Sequence, residues 1–359
     1  MYILAFTLAF ILTFLFTYLV RKLALRYQIV DRPFLTRKIH KRTIPLLGGM
    51  SIFIGILLTL GYFSLFTDKM FGGYMLPKHI IGLLLGGTIL VIGGILDDKY
   101  NLKPRQQFIW PLAAAVIVIS SGIGINYITN PLGEAIQLDQ IKIKIFEWGG
   151  LPYNFILFAD LFTLVWLLGM IYTTKFLDGL DGLVSGISVV TAFVLFFLSI
   201  SPKVIQPETA MVAIIVAGAA AAFLCWNFHP AKIFLGEGGS TLLGFLLGVL
   251  AIISGGKIAT ALLCMGVPIL DALWVILRRL FSRTSPFFGD KKHLHFRLLD
   301  IGFSHRFAVI FLWLLSAGFG ITALFLQGKE KVYSLVVLGG IMILLGIAVV
   351  YVYKFRQKA

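Results

Sequence analysis

Charge is scarce in this chain, and negative charge is the scarcest. Only 13% of the 359 residues are charged and 16 are acidic. With a mean hydropathy of +0.95, that excludes an ordinary soluble domain. Cysteine is nearly missing. Cys225 and Cys264 sit in apolar stretches without metal-ligand spacing and read as two buried free thiols. No Ser/Pro-rich linker or low-complexity segment interrupts the chain, so residues 1–359 read as one integral membrane domain. The first apolar stretch lacks a basic start and a small-residue cleavage site and runs straight into Arg21-Lys22. It therefore reads as a helix, not a cleaved signal peptide.

What is abundant is uncharged sequence long enough to cross about 30 Å of hydrocarbon as a helix. Eleven spans are expected: 1–20, 45–66, 79–96, 108–125, 152–174, 184–201, 209–226, 240–256, 258–277, 307–327 and 332–353. The fold class is thus an all-α polytopic membrane protein. Eleven crossings put the termini on opposite sides and divide the loops into two sets. One set holds 23 of the 31 basic residues and the other 8. The positive-inside rule then places the basic loops and the C-terminus in the cytoplasm and the N-terminus outside. The same asymmetry accounts for most of the net charge of +15. Attraction to anionic lipid or phosphate adds the rest, and no nucleic-acid-binding module accompanies it. In the long external loop, Ile141, Ile143 and Ile145 alternate with Lys142 and Lys144, which predicts a small β-hairpin turning at Asp139-Gln140.

The acids gather at the helix ends of the basic side. Asp97-Asp98 closes the third span, where the helix dipole disfavours carboxylates and a hard cation such as Mg²⁺ would favour them. Asp178 and Asp181, in a repeated Asp-Gly-Leu, share one side of a turn, and their glycines admit a phosphate. Glu237 opens the eighth span amid glycines and is a second candidate metal carboxylate. Gly238-Gly239 beside it reads equally as helix packing or as a place beside substrate, whereas the pairs at 48–49, 86–87 and 93–94 read as packing. Asn227 can donate and accept to a nucleobase or sugar amide, and His229 reads as a loop or interface histidine, not a ligand. His293 and His295 share a side only if the segment is extended. With Lys291, Lys292 and Arg297 they form a cluster of donors for pyrophosphate oxygens; a zinc site there lacks a third ligand. Two acids fall inside spans: Asp271, close enough to support the site, and Asp160, expected to be protonated or bonded to a neighbouring helix.

Taken in order, these motifs resemble the polyprenyl-phosphate N-acetylhexosamine-1-phosphate transferases of the WecA/TagO branch, a family to which the peptidoglycan enzyme MraY is a cousin. The resemblance runs through Asp31-Arg-Pro, Arg37-Lys-Ile-His40, Pro45-Leu-Leu-Gly-Gly49, Asp97-Asp98, Asp178-Gly-Leu-Asp181, Asn227…Pro230-Ala231 and Gly236-Glu-Gly-Gly-Ser240. It continues through Pro268-Ile-Leu-Asp271, His293-Leu-His295…Arg297 and Ser304-His-Arg306. The C-terminal His-Leu-His pattern favours this branch over MraY, which has three adjacent histidines. A transporter with an intramembrane acid relay is the reading from another class. No inverted repeat supports it, and most acids lie at helix ends, not at the midplane.

The resemblance implies transfer of a sugar-1-phosphate, foremost GlcNAc-1-phosphate, from a UDP-N-acetylhexosamine to a polyprenyl phosphate, with release of UMP, in a bacterial plasma membrane. It implies Mg²⁺, for which Mn²⁺ can substitute. Asp97 and Asp98 are then metal- and acceptor-handling carboxylates, Glu237 is a metal ligand, and Asp178 and His295 are catalytic. Lys41, Lys175, Asp181, Asn227, His293 and Arg297 make up the substrate-binding set. The chain departs from the family pattern in having Glu237 for Asp, Lys175 and Tyr172 for Asn, and Gln107 for Lys. Oligomeric state is left open, a homodimer included.

Overall fold

The computed structural model describes residues 1–33, 42–73, 75–128, 130, 134–148, 151–202, 204–254, 258–282 and 293–358. In chain order the helices are α1 (Tyr2–Arg26), α2 (Gly48–Phe66), α3 (Pro77–Tyr100), α4 (Pro104–Ser120), α5 (Leu157–Leu177), α6 (Leu183–Ile200) and α7 (Pro207–Asn227). They continue with α8 (Gly236–Ile253), α9 (Ile258–Cys264), α10 (Gly266–Phe281), α11 (Leu294–Asp300), α12 (His305–Phe325) and α13 (Lys329–Lys358). Nine of these are long and apolar enough to cross a membrane. The expected span at 258–277 is instead the pair α9 and α10, bent by 79° at their junction, and the span at 108–125 is the 17-residue α4. The chain is therefore a multi-pass membrane protein.

Burial separates the helices by role. In α8, 94% of the apolar window is enclosed by protein, against 28% in α1 and 11% in α13. The last two present their apolar faces outward, as a lipid-facing helix must, while α8 forms the axis. Glycine lets other helices reach that axis. The backbone of Gly94 in α3 touches that of Gly238, and Gly49 in α2 lies against Gly239; a Cβ at Gly94 or Gly49 would collide with main chain. Gly238-Gly239 is thus a packing site, and the crossing holds the C-terminal end of α3 beside the N-terminal end of α8.

A short backbone ladder fixes the same end. Strands β1 (Val30–Asp31) and β2 (Ile44–Pro45) pair antiparallel. Phe234 N–H then donates to Pro45 O at 2.9 Å, and the amides of Gly48 and Gly49 donate to Phe234 O and Leu235 O at 3.0 and 2.9 Å. The segment before α8 is thereby tied to the start of α2.

The hairpin differs from its expected register. Strands β3 (Tyr127–Ile128) and β4 (Ile136–Gln137) pair with each other, while β5 (Lys142–Trp148) pairs with β6 (Leu151–Ile156). The reversal lies between Trp148 and Leu151, not at Asp139-Gln140. Asp139 instead pairs with Lys142 at 2.9 Å. The alternation at 141–145 marks one strand, whose partner is the stretch 152–156 that hydropathy had assigned to a helix. Of the two expectations for Asp160, the bond to a neighbouring helix is not seen; the carboxyl accepts from the amide of Ile156 at 2.8 Å at the start of its own helix. Both cysteines are free, but only Cys264 is buried; Cys225 is exposed.

Candidate active site

At the end of the bundle where α3 and α5 finish and α8 begins, a cavity of about 410 Å³ is lined by Asp31, Asp97, Asp98, Asp178, Asp181 and Glu237, together with Asn227, His229, Phe296 and His305. Four separate loops therefore deliver their acids to one place, as the grouping of the loops requires.

Three of these carboxylates, Asp97, Asp98 and Asp181, are held by backbone amides. Asp97 Oδ1 accepts from Leu102 N at 2.8 Å and from Gln107 Nε2 at 2.9 Å. Asp98 Oδ1 accepts from Glu237 N at 3.0 Å, so the last turn of α3 caps the first turn of α8. Gly236, at φ +69°, packs its Cα against the Asp98 carboxylate, where a side chain would collide. Asp181 Oδ2 accepts from Ala231 N at 3.0 Å and meets His229 Nδ1 at 2.8 Å.

Lys175, in the last turn of α5, meets Glu237 Oε1 at 2.5 Å and donates to Gln107 Oε1 at 2.9 Å. A continuous chain results: Asp97, Gln107, Lys175, Glu237. The three departures from the family pattern at 107, 175 and 237 are thus linked through Lys175, which is also 5.6 Å from the centroid of the fourth, Tyr172. Even with Lys175 present, the carboxylates crowd one another. Burial pushes Asp178 up to about 7, and the charges of Glu237 and Asp181 push the same way.

The histidines form two groups. His293, in extended backbone just before α11, places Nδ1 2.9 Å from Asp271 Oδ2, while Asp271 Oδ1 accepts from Leu294 N at 2.8 Å. Asp271 on α10 thereby anchors α11, and the extended step lets His293 stack on His295 at 5.5 Å. His295 is buried with both ring nitrogens lacking a partner among the described residues, and its ring lies against Gly179. Burial pushes its pKa down to about 3, so it is a neutral imidazole at physiological pH. The second group joins His229 to His305, stacked at 4.0 Å between centroids. With Asp181 they form a trio whose ligand atoms lie within 4.8 Å of one another.

Asn227 reaches the cavity, but its side chain is engaged inward. Oδ1 accepts from Gly182 N and Ser185 Oγ at 3.0 Å each, and Nδ2 donates to Ile233 O at 3.1 Å. Arg297 lines a different, apolar cavity of about 710 Å³ with Asp271, Trp274 and Arg278. At about 100° per residue, two steps along α11 turn it away from His295. Lys41, Lys291 and Lys292 lie outside the described residues. Gln107 departs from the family pattern, but its contact with Asp97 has no local sequence signal. Asp31 and His305 stood in the ordered motif set without an assigned role, and only the fold brings them to the cavity.

Residues 80–255 match glycosyl transferase family 4. The decaprenyl-phosphate N-acetylglucosaminephosphotransferase of Mycolicibacterium smegmatis is 31% identical over 328 residues, covering 84% of this chain and 76% of that protein. The chain belongs to this transferase family. A probable undecaprenyl-phosphate N-acetylglucosaminyl 1-phosphate transferase of Bacillus subtilis is 29% identical over 343 residues, 94% of this chain and 88% of its own length. The undecaprenyl-phosphate alpha-N-acetylglucosaminyl 1-phosphate transferase of Escherichia coli K12 is 29% identical over 311 residues, 83% and 76% of the two chains. The segment matched by the family holds Asp97, Asp98, Asp178, Asp181, Asn227 and Glu237; the histidines of α11 and α12 lie beyond it.

Proposed function

We propose that the protein transfers N-acetylglucosamine-1-phosphate from its UDP derivative to a polyprenyl phosphate, forming polyprenyl-diphosphate-N-acetylglucosamine and UMP. The observation that carries the reading is the carboxylate cavity at the helix ends of a membrane bundle, in a chain whose relatives bear the names of that reaction. An oxygen of the acceptor phosphate attacks the sugar-bearing phosphorus of the donor, and the bond to the uridine-bearing phosphate breaks. Two anions must approach, so charge must be offset.

The residues fit a divalent cation. Their donors are hard oxygens, and Asp178, raised first by burial and then by the charges of Glu237 and Asp181, stands where a cation would favour the ionised form. Glu237, Asp97 and Asp98 would hold Mg²⁺, which supplies charge neutralisation at the phosphates; Mn²⁺ has the same ligand preference. Asp98 takes the acceptor proton on its carboxylate. Neutral His295 offers one N–H to a phosphate oxygen while Asp271, through His293, holds its helix in place. The ion pair with Lys175 orients Glu237.

The decisive test is purified protein with Mg²⁺, a short-chain polyprenyl phosphate and a panel of UDP-sugars, scored for UMP. Release is expected with UDP-N-acetylglucosamine; no release with any UDP-sugar sinks the proposal.

Metal affinity should depend on pH. Asp178 keeps its proton up to about pH 7, and a cation beside it favours the deprotonated form. Affinity therefore rises as pH increases through 7 and levels off above. The Mg²⁺ concentration giving half-maximal thermal stabilisation should fall roughly tenfold between pH 6 and 8. An unchanged midpoint would separate Asp178 from the metal.

For orientation we infer an external N-terminus with the cavity and C-terminus in the cytoplasm, supported by the 23-to-8 division of basic residues. With Cys225→Ser and Cys264→Ser in place, Asp98→Cys or Glu237→Cys should resist an impermeant thiol reagent in sealed cells. Labelling before lysis would invert the topology.

A further inference from the structure

Lysine and arginine at the ends of spanning helices usually need no partner but water, and the positive-inside rule accounts for their sign. It does not account for how three of them are held. Arg21 and Lys22 lie in the last turns of α1, and Lys232 lies in the turn before α8. Arg21 Nε donates to Lys232 O at 3.1 Å, joining segments 211 residues apart. Lys22 Nζ sits 4.3 Å from the centroid of the Tyr18 ring and Lys232 Nζ 5.5 Å from that of Trp226. Those two rings are themselves 6.4 Å apart. Both ammonium groups are thus drawn back over aromatic faces and do not reach out into water. Among the described residues no carboxylate pairs with any of the three cations.

Below them runs a ladder of rings. Phe6, Phe10, Phe14 and Tyr18 recur every four residues along α1, the spacing that brings side chains together on one helix face. Phe6 and Phe10 stack at 6.1 Å and Phe10 and Phe14 at 6.2 Å, while Trp226 of α7 meets both Phe14, at 5.3 Å, and Tyr18. Packing within the bundle does not cover them: Phe14 and Tyr18 remain 38% and 43% exposed. At 1.5 Å per residue, Phe6 to Tyr18 is about 18 Å, close to the depth of one leaflet, half of about 30 Å.

We propose that this seam between α1 and α7 binds an anionic phospholipid, with its phosphate at Arg21, Lys22 and Lys232 and one acyl chain along the rings. Charge decides the class, since a zwitterionic head group carries an ammonium that the same cations repel. Length decides the chain, since an acyl chain ends with the ladder and a polyprenyl chain would overrun it. The bound lipid ties α1 to the turn that carries His229 to the carboxylate cavity, and it stabilises the fold by mass action. None of this depends on the reaction proposed above.

The test uses the full chain in detergent, titrated with phosphatidylglycerol or phosphatidylcholine whose brominated acyl chains quench tryptophan fluorescence on contact. Saturable quenching by phosphatidylglycerol is expected at a concentration roughly tenfold below that for phosphatidylcholine, with a rise in melting temperature. Trp226→Phe should abolish the saturable part. Lys22→Gln combined with Lys232→Gln should weaken phosphatidylglycerol roughly thirtyfold. The charge-matched pair Lys103→Gln and Arg105→Gln, at exposed positions where α4 begins, should leave it unchanged. Equal affinity for the two lipids, or equal losses in the two double variants, would reduce the cluster to general surface charge and overturn the site. Saturable quenching that survives Trp226→Phe would place the lipid elsewhere and overturn it too. Displacement of phosphatidylglycerol by an equal concentration of short-chain polyprenyl phosphate would overturn the choice of occupant.

Discussion

Asp98→Asn is expected to lower turnover by about a thousandfold or more while leaving the fold intact. The amide is nearly isosteric, and its oxygen can still accept from Glu237 N, the bond Asp98 makes at 3.0 Å. Folding should not suffer, because the carboxylate sits in the last turn of α3, where the helix dipole works against it. What disappears is the negative charge that takes the acceptor proton and shares the cation. Loss of a group in that role costs about two to four orders of magnitude. UMP release and the melting temperature, measured on the same preparation, separate chemistry from folding. A variant keeping most of the wild-type rate would place the reacting centre elsewhere.

The second large effect concerns the cation that has moved. The family pattern expects a lysine at 107 and an amide at 175; here Gln107 and Lys175 exchange those types and touch at 2.9 Å. Gln107 Nε2 lies 2.9 Å from Asp97 Oδ1, so an ammonium placed there would face the same group of carboxylates from the other side. Lys175→Asn alone strands Glu237 in a largely buried place, with side-chain exposures of 18% and 20% for the pair. A loss of roughly 3 kcal/mol, about a hundredfold in rate, is expected. Adding Gln107→Lys should recover much of it, a coupling of about 1–3 kcal/mol. Simple additivity of the two changes would show that the positions do not serve one site and that the exchange is not compensatory.

The order of elements was legible because the hydrocarbon core imposes a length rule on every span, and each expected span has its helix or bent helix pair. The acids of the cavity were legible for a related reason. A charge at the end of an apolar helix is conspicuous in a chain with only 16 acidic residues, and charge asymmetry already grouped their loops. The hairpin was misread because alternation identifies a strand but not its partner; register is set by which segment pairs with it. The bend between α9 and α10 was missed because hydropathy is blind to direction within an apolar run.

Contacts between distant segments had no local signature at all. Asn227 carried the right chemistry for a ligand, but the fold turns its amide inward to Gly182, Ser185 and Ile233. Arg297 belonged by spacing to the histidine cluster, but helical rotation in α11 sends it to the second cavity. His229 reads from sequence as a loop or interface histidine, and the fold supplies the interface, stacking it at 4.0 Å on His305, a residue with no assigned role, beside Asp181. Composition and charge by themselves determined that this is a multi-pass membrane protein with the acids of four motif loops on one side, because burial in lipid and the placement of lysine and arginine act on each segment separately. Which of those residues face one another was decided by the glycine crossing of α2, α3 and α8 and by the turn of each helix, since side-chain direction depends on neighbours that one-dimensional sequence does not place.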